Sequence, residues 1–217
     1  KGLGFLISHN SSAYNVSMFK VSTVQLDYTR IERDLLGAKE VPAACYYGIH
    51  TLRALENFQI SNQKVGTHPH FIRALAQVKK ASAQTNLKFS KISEQVSQAI
   101  QFACNELIEF PEKWSTAFPL DVYQGGAGTS INMNSNEVLA NIALEHLGFQ
   151  KGQYEHIHPN DHVNKSQSTN DVYPTALRLA TYYSLDDLLI QIQKLIDTLH
   201  IKVAEFQFVL KMGRTQL

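Results

Sequence analysis

Three short polar segments carry the residue types from which a site for a small anion can be built. They are Gln124-Gly125-Gly126-Ala127-Gly128-Thr129-Ser130, then Ser166-Gln167-Ser168-Thr169-Asn170-Asp171, and finally Gly213-Arg214-Thr215-Gln216. Hydroxyls, amides and backbone N–H groups dominate them. Short uncharged donors suit a site that must hold carboxylates closely and then stabilise further negative charge as it develops. The glycines make the first segment a tight turn. It lacks the Gly-Lys-Ser/Thr ending of a phosphate loop, and no dinucleotide fingerprint is present, so a nucleotide site is rejected. Asn132, Asn134, Asn136 and Glu137 follow it, ahead of an apolar run. They read as a polar network around the turn, leaving Thr129 and Ser130 free to donate to a ligand.

In the second segment, Ser168, Thr169 and Asn170 fall at the start of a long helix. There the first backbone N–H groups are unpaired and the helix dipole favours an anion. One Ser, Thr or Asn suffices for an N-cap, whereas six polar residues stand in a row here, which favours binding over capping. His156, His158 and His162 lie just upstream. Their spacing fits no regular ligand pattern, and Pro159 breaks any helix that would align them, so no metal is expected. The third segment would be weak by itself and matters because it follows the long helix.

The elements that must position these segments are mainly helical. Phe71, Ile72, Leu75, Val78 and Ala81 recur at spacings of three and four, which predicts a helix from Pro69. Ile92, Val96, Ile100, Ala103 and Leu107 predict a second helix, with Ser93 and Glu94 near its start. Pro111 and Pro119 bracket a loop. Asn136 to Leu147 reads as a third helix ended by Gly148. Arg30 to Ser61 mixes charge, glycine, proline and aromatics, and predicts short elements and turns. The longest helix begins near Asn170, with Pro174 in its first turn. Leu185, Leu188, Ile192, Leu195, Leu199, Val203 and Phe206 form one apolar stripe, and Leu189, Ile196, Val203 and Leu210 a second. Roughly 36 uninterrupted residues would span about 55 Å, more than a small domain covers. Two stripes require neighbours on more than one side, and a bundle completed by other subunits is expected.

Composition excludes several classes. The 217 residues carry a formal net charge of +1, which gives no electrostatic reason to expect nucleic acid or an anionic membrane as partner. No apolar run reaches the roughly 20 residues of a membrane helix. Cys45 and Cys104 are too few for a disulfide framework and read as free thiols in a reducing compartment, so a cytoplasmic location is expected. The apolar stretch in Lys1-Gly2-Leu3-Gly4-Phe5-Leu6-Ile7 is too short for a signal peptide. The sequence begins with Lys and closes at Leu217 on an unfinished pattern. It reads as a fragment at both ends, with Met18 as a candidate start.

Several motifs together resemble the aspartase/fumarase superfamily. They are Arg30-Ile31-Glu32-Arg33-Asp34-Leu35-Leu36-Gly37, Val41-Pro42, Tyr46-Tyr47-Gly48, His50-Thr51-Leu52-Arg53-Ala54, Glu56-Asn57-Phe58 and the three polar segments. The likeness runs from about Arg30 to the last residue and is strongest to the aspartase branch. Class II fumarases usually carry Trp and Gln around Tyr47 and His50, and typically His at Gln216. The Gly-Ala-Gly-Thr-Ser form at 126–130 points the same way.

The resemblance implies a mainly α fold: an irregular extension over 1–29, an N-terminal mixed/helical lyase domain over 30–165, and the first long helix of a central helical-bundle domain over 166–217, truncated. It implies a homotetramer with active sites shared between subunits, and no cofactor. It implies reversible elimination of ammonia from L-aspartate to give fumarate. Position by position, it makes Thr129 and Ser168 contacts of the distal carboxylate or amino group and Thr169 a carboxylate donor. Asn170 becomes an amino-group contact, Thr215 a donor to the α-carboxylate, and Gln216 a neighbouring amino-group contact. Ser130 and Asn134 take supporting places. His158 belongs to a loop that forms a second, non-catalytic anion site in fumarases and is also only supporting. The family's base is a serine on a flexible glycine-serine loop. No segment of these 217 residues matches that loop, so no catalytic base is assigned. Fumarate hydration is the competing chemistry, and a non-catalytic product that only associates with full-length subunits is the competing role.

Overall fold

The computed structural model describes residues 28–213. The expectations for residues 1–27, for a start at Met18, and for Thr215 and Gln216 lie outside the described residues. A two-stranded antiparallel hairpin opens the fold, β1 (Thr29–Asp34) with β2 (Gly37–Pro42), in the register Thr29 to Pro42 and Asp34 to Gly37. Five helices follow: α1 (Ile49–Asn57), α2 (Pro69–Lys88), α3 (Glu94–Glu109), α4 (Thr129–His146) and α5 (Thr169–Phe206). No helix among them is long and apolar enough to cross a membrane.

Local sequence explains most of the boundaries. Pro69 opens α2, where its missing N–H costs nothing. Ser93 caps α3 by accepting from the Val96 amide. Gly148, at φ 84°, follows α4 in the left-handed conformation that glycine tolerates best. The segment between Pro111 and Pro119 is not an open loop. It forms a 3-10 turn, Pro111–Ala117, that buries Trp114.

α2 departs from its simple stripe. Phe71, Ile72 and Leu75 are buried, but Ala81 is exposed and the buried face continues through Ala76, Lys79, Ala83 and Asn86. The reason is that α2 packs against both α3 and α5. Its buried surface is therefore wider than one stripe, and it includes a lysine.

α4 is the second departure. It begins at Thr129, seven residues before the start read from the pattern. Asn132, Asn134 and Asn136 thus lie within the helix, and residues 134–144 are all buried. An apolar periodicity cannot mark a helix surrounded on all sides. What such a helix requires is a partner for each buried polar group. Glu137 provides the clearest case. Its carboxylate accepts from the Gly48, His50 and Thr51 amides at 2.8, 2.8 and 3.1 Å and from the Thr51 hydroxyl at 2.6 Å. Glu32 accepts from the Ile49 amide at 2.8 Å. Two buried carboxylates from distant elements therefore cap α1, which has no cap of its own.

Gly48 is required by this crowding: a Cβ there would stand 2.5 Å from Glu32 Oε2 and 2.8 Å from Glu137 Oε1. Arg30 completes the corner, pairing with Glu32 at 2.8 Å and donating to the Cys45 and Tyr47 carbonyls at 2.8 and 2.7 Å.

α5 is 38 residues long, and only its first part joins the core, through Val172, Ala176 and Ala180. Beyond Ser184 every residue of the helix is exposed, including Leu185, Leu188, Leu195 and Leu199. Pro174 lies in the second turn, not the first. Lacking an N–H, it leaves the Asn170 carbonyl without its helical partner.

Both Glu137 oxygens accept from backbone amides, so an amide side chain must point its NH2 at a donor. Glu137→Gln should therefore lower the unfolding free energy by about 1–3 kcal/mol. Denaturant titration of the variant against the exposed control Glu145→Gln, which should cost far less, measures this.

Candidate functional site

The glycine turn and the α5 start meet across a close packing contact. Gly126 and Gly128 adopt φ 73° and 87°. At Gly128 a Cβ would lie 2.2 Å from Tyr173 Cδ2, so glycine alone lets the chain enter α4 against the ring of α5. Gly128 offers no side-chain cap. Gln124 substitutes for one, its Oε1 accepting from the Ile131 amide at 3.1 Å. The buried Gln124 Nε2 has no partner among the described residues. Thr129 is exposed and Ser130 half-buried, and neither hydroxyl bonds to protein among the described residues.

The α5 start is capped by Ser168, whose Oγ accepts from the Asn170 amide at 3.2 Å and whose carbonyl accepts from the Asp171 and Val172 amides. Capping and binding are therefore not alternatives: Ser168 caps the helix and stays exposed. Thr169 follows as the first helical residue. Its Oγ1 accepts from Asn132 Nδ2, in the first turn of α4, at 3.0 Å. That bond holds two helix N-termini side by side. Both ends carry partial positive charge from unpaired N–H groups. A cavity of about 420 Å³ opens beside the junction, lined among others by Gln124, Gly126, Gly128, Asn170 and Tyr173.

A polar chain supports the junction from below. Lys79 Nζ, on α2, donates to Asn164 Oδ1 at 2.8 Å and to Gln167 Oε1 at 3.0 Å. Asn164 Oδ1 also accepts from Asn132 Nδ2 at 3.2 Å. Lys79 is fully buried. Burial pushes its ammonium down to about 7, opposed by the nearby Cys104 sulfur. Burial pushes the Cys104 thiol up to about 12.

The expected residues thus divide. Thr129, Ser130, Ser168, Thr169 and Asn170 all sit at the two helix starts. Asn134 is spent elsewhere: it is buried and its amide donates to the Ala117 carbonyl at 3.0 Å. His158 lies at the wide turn Pro159–Val163, where its Nδ1 accepts from the Asn160 and Asp161 amides at 3.2 Å each. His162 Nδ1 accepts from the His158 amide at 2.9 Å. Sequence reasoning missed Lys79 and Gln124. The sign for Lys79 was available: it falls seven residues after Ile72 and four after Leu75, on the inward face of α2.

Comparison with known proteins follows this geometry. The family described as Lyase matches residues 37–217. Aspartate ammonia-lyase of Escherichia coli K12 is 57% identical over 188 residues, which are 87% of this chain and 39% of that protein. The enzyme of that name from Corynebacterium glutamicum is 48% identical over 210 residues, 97% of this chain and 40% of that protein. The chain thus spans about two-fifths of the length of the curated relatives it matches. Among solved structures, the fumarate lyase:delta crystallin of Brucella melitensis in native form is similar at TM-score 0.84 and 50% identity, covering 87% of this chain and 44% of that one. A recombinant class II fumarase of Schistosoma mansoni is similar at TM-score 0.76 and 38% identity, covering 87% and 39%.

The depressed Lys79 pKa has a stability consequence with a definite sign. Its ordinary value of 10.5 applies to the unfolded chain, and about 7 to the folded one. Between these values the unfolded state holds the extra proton, so this group makes stability rise with pH, by at most about 1.4 kcal/mol per pH unit. Unfolding free energies measured from pH 6 to 9.5 should show the parent gaining on Lys79→Met. A constant difference across that range would refute the assignment.

Proposed function

The chain belongs to the lyase family matched over residues 37–217, and from that premise we propose that it acts as an aspartate ammonia-lyase, reversibly eliminating ammonia from L-aspartate to give fumarate. The mainly helical fold is the one its family resemblance implies. One observation supports the site assignment above the others. The Asn132–Thr169 hydrogen bond sets the N-termini of α4 and α5 side by side, with Thr129 and Ser168 exposed at them. A dicarboxylate is the ligand class such paired ends favour.

In this reading Thr129, Ser168 and Thr169 hold a carboxylate and Asn170 meets the amino group. Thr215 and Gln216 supply further contacts to the α-carboxylate and amino group. Ser130 and His158 keep supporting places, and Asn134, spent on the Ala117 carbonyl, drops out. Removal of a proton from the carbon beside the distal carboxylate leaves an aci-carboxylate carrying two negative charges. Fixed donors that strengthen their hold as this charge grows lower the barrier. The base is assigned to none of the 217 residues. The rival chemistry, hydration of fumarate, would use the same dicarboxylate donors. The residues Tyr47 and His50 and the position of Gln216 favour ammonia over water.

Residues 30–165 are read as the N-terminal lyase domain and 166–217 as the start of a central helical bundle. The exposed apolar residues from Leu185 to Phe206 support a homotetramer in which other subunits cover α5. The free Cys45 and Cys104 favour a reducing, cytoplasmic setting.

In a full-length protein carrying this sequence, Ser168→Ala and Thr129→Ala should each lower kcat for aspartate about 100-fold or more, as loss of one charge-stabilising donor does. Circular dichroism should remain unchanged. Near-normal turnover in both would sink the site assignment, and efficient malate formation without ammonia release would replace the reaction. The 217 residues by themselves should release no ammonia and should self-associate. A monodisperse monomer in sedimentation would contradict the bundle reading of α5.

A further inference from the structure

Lys79 donates into a chain of amides, and that sets the direction of the hydrogen bonds beyond it. As an ammonium it has three N–H donors and no acceptor, and as the neutral amine that it becomes above about pH 7 its two N–H groups still serve Gln167 Oε1 and Asn164 Oδ1. The atom of Asn164 that meets it at 2.8 Å must therefore be the carbonyl oxygen. The atom of Asn132 that meets that same oxygen at 3.2 Å must in turn be the NH2 group. Asn132 Nδ2 is also the atom 3.0 Å from Thr169 Oγ1, so Thr169 is obliged to accept. Its single hydroxyl proton is then left over, and it finds no acceptor among the described residues. Asn164 is turned the same way by a second, longer bond, its Nδ2 donating to the Gln167 carbonyl at 3.4 Å, and Asn132 takes its orientation from Asn164 Oδ1, since the O and NH2 of Asn exchange places at little cost in shape.

The arrangement is not what Asn132 would choose for itself. Its Oδ1 is buried and meets no donor among the described residues, although a buried unpaired acceptor costs stability. A flip of Asn132 would turn that oxygen toward Thr169 and let the hydroxyl donate inward. The polarity imposed from Lys79 forbids it, since the flip would also set two carbonyl oxygens against each other at Asn164. Gln167 is held in the same sense: its Oε1 accepts from Lys79, and its Nε2 donates to the Val163 and Lys165 carbonyls at 2.8 and 3.1 Å. The loop entering α5 is thereby locked together with its first residue.

We infer that Lys79 is a positioning residue for the anion site: through Asn164 and Asn132 it directs the Thr169 hydroxyl proton outward, as a donor to the substrate carboxylate. The inference rests on the reading of Thr169 as a carboxylate donor and extends it. Lys79 touches no substrate; it sets the polarity of the group that does.

The test is a double-mutant cycle in a full-length protein carrying this sequence. kcat/KM for L-aspartate and the Kd for fumarate are measured for Lys79→Met, Thr169→Ala and the pair. Each single variant should lower kcat/KM about tenfold or more, and the pair should be within about threefold of the worse single, as expected for residues acting through one interaction. Lys79→Met should also weaken fumarate binding in molecules that remain folded. If Lys79→Met does not fold, Asn164→Ala paired with Thr169→Ala runs the same cycle. Losses that multiply, or an unaltered fumarate Kd in folded Lys79→Met, would overturn the relay while leaving the site reading intact. A Thr169→Ala variant with parental kcat/KM would overturn the site reading and the relay with it.

Discussion

A helix buried on every side is under pressure to find partners for the polar groups it carries, and the bonds that α4 makes in answer organise this molecule, although Asn132 Oδ1, Asn134 Oδ1, Ser135 Oγ and Asn136 Oδ1 find none among the described residues. Its buried polar residues do not pair with one another. Glu137, Asn141, Asn134 and Asn132 reach into other elements, the first three onto backbone groups and Asn132 onto side chains. Glu137 holds the start of α1. Asn141 donates to the Tyr46 carbonyl at 2.7 Å and accepts from the Gly152 amide at 2.8 Å. Asn134 holds the Ala117 carbonyl, and Asn132 holds Thr169. Hydrogen bonds of this kind add little net stability each, but leaving any one unmade is costly. The arrangement therefore selects one geometry more than it raises stability, and that geometry fixes where the two helix starts lie.

The same economy shapes the site. Its candidate donors are hydroxyls, amides and helix N–H groups, and Lys79, the one buried lysine among the described residues, stands behind them. Lys79 is separated from the cavity side by two amides, so it orients donors without placing a full charge against the ligand. A fixed set of neutral donors has low reorganisation cost when charge moves, which is what the proposed elimination requires. The glycine at 128 serves this purpose by geometry alone, since only the absence of a side chain lets α4 begin against Tyr173.

The second half of α5 contrasts with this closed core. Its apolar residues are exposed along more than 20 residues, with nothing among the described residues to cover them. Surface of that extent is what the proposed subunit contacts would cover. The helix thus has two unequal parts, a start fixed by hydrogen bonds and core packing, and a long exposed extension.

The sequence alone was sufficient for the mainly helical class, for the starts of α2, α3 and α5 to within one or two residues, and for the polar segments, because caps, prolines, glycines and apolar spacing are local features. It also identified the hydroxyls at 129, 130, 168 and 169 as candidates, since clustered short donors stand out against apolar helices. It misjudged α4, whose first two turns carry the buried polar residues Asn132, Asn134, Ser135 and Asn136. Local pattern assigns such residues to a loop, and only packing on all sides turns them into helix. It passed over Lys79, because a lysine on a helix is read as solvated by default, although its spacing from Ile72 and Leu75 marked the inward face. Most of all, adjacency was beyond it. Asn132 and Thr169 are 37 residues apart, Lys79 and Asn164 85. Which helix ends share a site, and which way each hydrogen bond runs, is decided by tertiary contacts between donor-only and acceptor groups that no local pattern encodes.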